Sequence, residues 1–325
     1  MRVLVTGAGG FIGSHVTETL LSAGHSVRAL VHYHGQGSWG HLDRLPEPRS
    51  AELDVRLGDI TDPFMVRDLV AGCDVVLHLA ALIGIPYSYV APHSYVATNT
   101  IGTLNVLEAC RHEKVSRVVV TSTSEVYGTA LYTPIDEEHP LQGQSPYSAS
   151  KIGADKLAES YFRSFDLPVV TLRPFNTYGP RQSARAVIPT VITQALSGAD
   201  RIELGNLTSE RDLTFVADSA QVFLLAATTP GIEGEVIHLG QGAAISIGQL
   251  AELCVRMAGS QASVTSVASR LRPERSEVNR LLCNPSKAKR LLGWQPEFSL
   301  EEGVKLTVDY LRENLQDYRS RDYTV

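Results

Sequence analysis

"RVLVTGAGGFIGSH", residues 2–15, is the stretch on which the fold turns. Arg2 to Val5 and Thr6 read as a strand, and its apolar core, Val3-Leu4-Val5, is the short continuous run expected of a parallel strand covered on both faces. A helical pattern follows from about Phe11 to Ala23, and Gly24 stands where a C′ glycine belongs. Between strand and helix lie Gly7, Gly10 and Gly13. Glycine here permits a tight turn and lets backbone approach a pyrophosphate closely. The helix N-terminus then offers free N–H groups and a positive dipole end. The spacing is GxxGxxG rather than GxGxxG, so its position between a first strand and a first helix is what makes it a dinucleotide cradle.

The same alternation continues outward. "SVRALV", "LDVRLGD", "DVVLHLAA", "RVVVTS" and "PVVTLRP" read as strands, with helical stretches between them. Thr61-Asp62-Pro63 resembles a helix start with proline in the first turn. Helices are expected over about 94–112 and 148–165. This pattern predicts an α/β fold, a doubly wound, Rossmann-like parallel sheet. After Pro174 the texture changes, with shorter segments and more Pro, Arg and Gly. "VIHLG" (236–240) looks like one more buried strand returning to the sheet, and Ser299 with Glu302 forms a capping-box pattern opening a C-terminal helix. The expected division is a dinucleotide-binding domain over 1–175, with a returning segment near 213–245, and a smaller α/β substrate domain mainly over 176–325.

The chain has 325 residues, 43 % hydrophobic and 20 % charged, enough for a real core and too apolar for disorder. Its net charge of −6 gives no electrostatic reason to expect nucleic acid or an anionic membrane as partner. No run of about 18 apolar residues is present to span a bilayer. Cys73, Cys110, Cys254 and Cys283 are far apart and form no CxxC pair, as expected of reduced thiols. With no signal peptide ahead of the first strand, the expected location is cytoplasmic. No metal site is expected, and there is no internal repeat.

Two further pieces fit a dinucleotide. Asp59-Ile60 follows the third strand, where a carboxylate can accept from an adenine amino group. Ala80-Ala81 follows the fourth, where small side chains let a ribose pack closely. The second strand ends Leu30-Val31-His32-Tyr33-His34, without the carboxylate that would bind a ribose 2′-hydroxyl. His32 or His34 could approach a 2′-phosphate, so NAD and NADP both stay open as the cofactor.

The fifth strand leads into "TSTSEVYG" (121–128), and "SPYSASK" places Tyr147 and Lys151 four apart on one helix face. A lysine beside a phenol is expected to favour phenolate and lower the tyrosine pKa. Thr123 can share the tyrosine's proton or hold a substrate oxygen.

With "TGAGGFIGSH", "YSASK", "RPFNTYGP", "RDLTFVAD" and "SKAKRLLGWQPEFSLEEGV" in place, the chain resembles an extended short-chain dehydrogenase/reductase of the NAD-dependent nucleotide-sugar epimerase/dehydratase family over nearly its whole length. The resemblance implies catalytic roles for Thr123, Tyr147 and Lys151. It implies cofactor contacts from Gly7, Gly10, Phe11, Ile12 and Gly13, from His32, Asp59 and Ile60, and from Leu79, Ala80 and Ala81. Asn99, Thr121, Tyr147, Lys151 and Pro174 complete that set. On the substrate side it implies Asn176, Arg185 and Val187, with Arg211 and Arg272 for the nucleotide phosphates, a role that also suits guanidinium forks on a diphosphate. It further implies tightly bound NAD or NADP, a nucleotide-diphosphate sugar substrate and a homodimer built on the two long helices.

Within the family, 4-epimerases resemble "SSxxVYG", whereas 4,6-dehydratases carry Thr-Asp-Glu or Thr-Ser-Glu, and this chain has Thr123-Ser124-Glu125. Oxidation at C4 acidifies the C5 proton, which a carboxylate can remove as the C6 hydroxyl leaves. Ser124 stands where an aspartate acid would be, so Glu125 is expected to serve both steps. Nucleotide-uronate decarboxylases also resemble "TSEVYG" but usually place a basic residue after the lysine, where Ile152 stands here. The surrounding sequence most resembles 4,6-dehydratases of the legionaminic-acid type, which act on a nucleotide-linked N-acetylglucosamine. The expected function is therefore a nucleotide-sugar 4,6-dehydratase, a lyase acting on an NDP-hexose or NDP-N-acetylhexosamine. A 4-epimerase and a uronate decarboxylase are the enzyme alternatives. A cofactor-sensing binding protein on the same fold is the non-enzyme alternative.

Overall fold

The computed structural model describes residues 1–45, 52–271 and 273–318. The first half runs β1 (Arg2–Thr6), α1 (Phe11–Ser22), β2 (Ser26–His32), β3 (Leu53–Gly58), α2 (Pro63–Val70) and β4 (Val75–His78). It continues through short α3 (Ile85–Val90) and α4 (Pro92–Tyr95) to α5 (Gly102–Glu113), β5 (Arg117–Thr121), α6 (Pro146–Phe165) and β6 (Val169–Pro174). The second half adds β7 (Asn176–Tyr178), α7 (Val187–Leu196), β8 (Arg201–Leu204), β9 (Glu210–Phe215), α8 (Val216–Thr228) and β10 (Val236–Leu239). Last come β11 (Ala244–Ser246), α9 (Ile247–Ala258), β12 (Ser263–Ser266), β13 (Arg280–Leu281), α10 (Ser286–Leu292) and α11 (Leu300–Glu313).

Seven strands form one parallel sheet in the order β10-β6-β5-β4-β1-β2-β3. Alternation along β1 explains why helices cover both faces. Val3 and Val5 pack with Val16 and Leu20 of α1 and Phe223 of α8, while Leu4 packs with Val66 of α2, Leu107 of α5 and Ala158 of α6. Chain order reverses between β1 and β4, so a crevice opens beyond their C-terminal ends, the place where open α/β sheets bind ligands.

The helix ends follow their caps. Asp62 accepts from the backbone N–H groups of Phe64 and Met65, with Pro63 in the first turn. α6 begins at Pro146, two residues before its expected start, because Ser145 and Ser148 form a reciprocal capping box. Ser299 and Glu302 do the same for α11. The helix expected over 94–112 is not one regular α-helix. Residues 96–101 adopt the wider π-helical turn, which brings Asn99 inward.

Beyond β6, a four-stranded sheet is built on β9, with β7, β11 and β13 as its other strands, and β8 pairs with β12. Its core lies among α7, α9 and α11. Of residues 213–245, α8 and β10 lie with the large sheet, while the two ends fall in β9 and β11 of the small one. Asp212 ties the sheets together. Its buried carboxylate accepts from Gln241 and Gly242 beyond β10, at 2.7 and 2.8 Å, and from Cys283 at 3.1 Å. All four cysteines are free and buried.

Candidate active site

The glycine turn is shaped by close backbone approach. Gly7 has φ of +71°, and a Cβ there would stand 2.9 Å from Ala80 Cα and N. A Cβ on Gly13 would stand 2.2 Å from the Gly7 carbonyl oxygen. Thr6 holds the two strand ends together. Its hydroxyl accepts from Leu79 and Ala80 N–H groups, each at 3.1 Å, and bonds His78 Nδ1 at 2.9 Å. Gly10 caps α1 without a side chain, so the first-turn N–H groups at Phe11 and Ile12 are left for a ligand. Such a cradle, bare of Cβ atoms and facing a helix N-terminus, fits a dinucleotide pyrophosphate.

Around it the expected residues take definite positions. Asn99 Oδ1 accepts from Leu82 N–H at 2.8 Å, and its amide donates to Leu82 O and Ser150 Oγ at 2.9 and 3.0 Å. It therefore buttresses the segment leaving β4, just past Ala81, against α6. Ile60 is buried, and a Cβ on Gly102 would lie 2.6 Å from its Cδ1. Asp59 Oδ1 accepts from Thr61 N–H at 2.8 Å. His32 lies 3.8 Å from Asp59 Oδ2, with both side chains well exposed. Pro174 closes β6.

Sequence reading missed one element here. Residues Gly40–Arg44 form a short 3-10 turn lying directly on the cradle, with His41 N–H donating to Gly9 O at 3.0 Å. Arg44 fastens this turn to the end of α11 through Tyr310 and Asn314, each at 2.7 Å, and through Asp317. The available signal was Asp43, whose carboxylate receives Ser38 Oγ and Trp39 N–H at 2.5 and 3.0 Å.

Thr123, Glu125, Tyr147 and Lys151 converge at the end of β5. Thr123 caps a 3-10 turn, Ser124–Tyr127, by accepting from Glu125 N–H at 3.2 Å, and its side chain lies beside Tyr147. Ser124 is buried. The Glu125 carboxylate is half-buried and has neither hydrogen bond nor ion pair among the described residues. Lys151 is buried and donates to the Thr121 carbonyl at 2.6 Å. Burial pushes its pKa down to about 8, opposed by Asp155. The expected lowering of the Tyr147 pKa is not found. Burial among Ile85, Tyr95 and Leu82 raises it, the neighbouring Thr123 hydroxyl works the other way, and the Glu125 charge raises it further.

On the opposite wall, Asn176 opens β7 with its Oδ1 buried and unpartnered, an acceptor placed for a ligand. Arg185 is exposed beside Gly84 and Tyr95, the latter packed edge-on against Tyr147 at 6.2 Å. Val187 begins α7. Arg211 is buried on β9 and lies 3.7 Å from Glu277, so it is already engaged. Next to Glu277, Ser276 donates to Gln144 O at 2.9 Å, which brings this loop to the start of α6. Arg272 lies outside the described residues.

A Rossmann-type parallel sheet with a glycine cradle beyond β1 and a Thr, Tyr and Lys cluster beyond β5 defines a short-chain dehydrogenase/reductase. Residues 4–307 match the family described as GDP-mannose 4,6 dehydratase, and the chain belongs to it. It is 35 % identical over 322 residues to dTDP-glucose 4,6-dehydratase of Actinoplanes sp., covering 97 % of this chain and 98 % of that one. Among solved structures, dTDP-glucose 4,6-dehydratase of Streptomyces venezuelae with NAD bound superposes with a TM-score of 0.89 at 31 % identity, over 98 % of this chain and 99 % of that one. UDP-glucose 4-epimerase of Thermotoga maritima with UDP-glucose gives 0.87 at 30 %, over 97 % and 100 %. Dehydratases and epimerases are thus about equally similar, and the family is one of nucleotide-sugar dehydratases and epimerases.

Proposed function

We propose that this chain is a nucleotide-sugar 4,6-dehydratase, converting an NDP-hexose or NDP-N-acetylhexosamine to its 4-keto-6-deoxy form. The observation that carries this reading is Glu125, a half-buried carboxylate without hydrogen bond or ion pair among the described residues, near enough to Tyr147 to raise its pKa. An epimerase needs no base at C5, and a dehydratase does.

A tightly held nicotinamide dinucleotide would supply the hydride acceptor at C4 and the donor at C6, and the S. venezuelae dehydratase has NAD bound. Gly7, Gly10 and Gly13 with the first turn of α1 hold its pyrophosphate. Asp59 and Ile60 face the adenine side, and Ala80 and Ala81 admit a ribose. Thr123 positions the C4 oxygen while Tyr147 takes its proton, with the Lys151 ammonium stabilising the phenolate. Glu125 then takes the C5 proton and delivers one to the departing C6 hydroxyl. Ser124, in the same turn, is buried. Asn176, Arg185, Val187 and Arg211, with Arg272, serve the nucleotide sugar. In this reading residues 1–175 and the α8–β10 return form the dinucleotide half, and 176–325 mainly the substrate half.

Incubation with UDP-, dTDP- and GDP-linked hexoses and N-acetylhexosamines, followed by mass spectrometry, tests the assignment. The expected product has lost one water. An unchanged mass with inverted C4 would make it an epimerase, and loss of carbon dioxide from a uronate a decarboxylase.

A further inference from the structure

Asp155 follows Lys151 by one turn of α6 and is 4 % exposed. Its Oδ2 accepts from Ser122 Oγ at 2.7 Å and from Arg173 Nε at 3.1 Å, and its Oδ1 is buried without a partner. Ser122 adjoins Thr121, whose carbonyl receives the Lys151 ammonium. Carboxylate and ammonium are therefore pinned to successive residues at the end of β5. Arg173, on β6, donates from Nη1 to Tyr127 Oη at 2.6 Å and stands over that ring, 5.2 Å from its centroid. Tyr127 closes the turn that begins after Thr123 and contains Glu125. A buried line from Lys151 through Asp155, Arg173 and Tyr127 thus joins the two elements that carry the proposed chemistry.

We infer that Asp155 is a positioning residue for the Tyr147–Lys151 pair, keeping the buried ammonium charged and, through Arg173 and Tyr127, setting the Glu125 turn against α6. The inference rests on the reading of Tyr147 and Lys151 as the proton-transfer pair. An ammonium taken out of water loses its proton readily unless a negative charge lies nearby. Asp155 is the group that opposes burial at Lys151.

Other groups face this line from each packed element. His78 on β4 and His238 on β10 are buried and held at about 3, so both are neutral near pH 7. Tyr147 and Tyr127 are raised by burial and stay protonated. Glu137 receives His238 N–H at 2.9 Å beyond Tyr127, and Glu125 lies on the Tyr147 side. Arg173 is the permanent cation of the group, and it offsets part of the Asp155 charge.

Asp155 acts on Lys151 to keep it charged, and Arg173, through its ion pair with Asp155, is expected to act with the opposite sign. Asp155→Asn keeps the shape and removes the negative charge, so the lysine should lose its proton at lower pH. Arg173→Gln removes the compensating cation, so it should lose it at higher pH. The measurement is the titration of lysine Cε by NMR in the full-length, substrate-free protein labelled with 13C-lysine, with the Lys151 signal assigned from Lys151→Met. The expected shifts are down by about one pH unit for Asp155→Asn and up by a few tenths or more for Arg173→Gln. Should Asp155→Asn fail to fold, the upward shift in Arg173→Gln alone decides. A Lys151 midpoint that stays put, or moves the same way in both variants, overturns the inference. Because no sugar is turned over, this result is separable from whether the product is dehydrated or epimerised.

Discussion

Glu125 and Tyr147 handle different protons in the proposed reaction, so isosteric substitutions should separate its two halves. Glu125→Gln keeps the side-chain shape and leaves the bond from residue 125 N–H to Thr123 intact. Thr123, Tyr147 and Lys151 remain, so C4 oxidation should proceed and stop there. The expected result is accumulation of reduced nicotinamide absorbance, with turnover to the dehydrated product lower by roughly 10²–10⁴. Tyr147→Phe should give neither absorbance nor product, since the C4 hydroxyl then has no base. A merely structural Glu125 would leave the substituted enzyme dehydrating at near the native rate. Failure of the native enzyme to take up deuterium at C5 from heavy water would likewise remove the carboxylate from the reaction.

At the scale of elements, the join between β1 and α1 makes the sharpest demand. A methyl group on residue 13 would meet the Gly7 carbonyl at 2.2 Å, a backbone atom that cannot swing aside. Gly13→Ala should therefore distort the cradle, and the purified protein should release little or no nicotinamide dinucleotide on denaturation. Gly24→Ala is the control. It has φ of +79° but nothing within 4 Å of a Cβ, so it should cost roughly 1–2 kcal/mol of stability while cofactor content is kept. The cradle was legible in the sequence because every determinant lies within one strand, turn and helix. The same holds for Asp62 and Ser299 at helix starts, and for the Tyr147–Lys151 spacing, whereas the Ser145 cap that starts α6 two residues early was not read. The line through Asp155, Arg173 and Tyr127 was not legible, because it joins residues 18 and 46 positions apart that only strand order brings together. Nor was the fastening of Arg44 to α11, a contact across more than 260 residues. The raised Tyr147 pKa escaped for a related reason: the apolar packing that raises it comes from Leu82, Ile85 and Tyr95, on segments distant in sequence. The π turn at 96–101 carries no composition signal of its own, since it is still a helix by periodicity.

At the scale of the molecule, the helical layer on one sheet face presents more apolar surface than the chain itself covers. Val96 and Ile101 are 49 % and 45 % exposed, and Leu104 on α5 and Leu157 on α6 are only partly buried. Gly153 lets α6 approach the π turn closely, a Cβ there lying 3.2 Å from Thr100, so the two helical segments form one continuous outer surface. Two such surfaces packed about a two-fold axis would make a four-helix interface in which each residue meets its own counterpart or a neighbour. A stable interface of this kind buries on the order of 1,600 Å² in total, which two helices per protomer can supply. The expected species in solution is a homodimer, and light scattering at micromolar concentration should return twice the chain's 35.3 kDa. Ile101→Glu should shift the mass toward the monomer, because a carboxylate would then be buried against its symmetry mate. Since Thr100 Oγ1 donates to Ser150 O at 3.0 Å and Asn99 buttresses the segment beyond β4, loosening this layer should also weaken cofactor retention. A native protein that scatters as a monomer would refute the dimer, and an Ile101→Glu protein that stays dimeric would place the interface elsewhere.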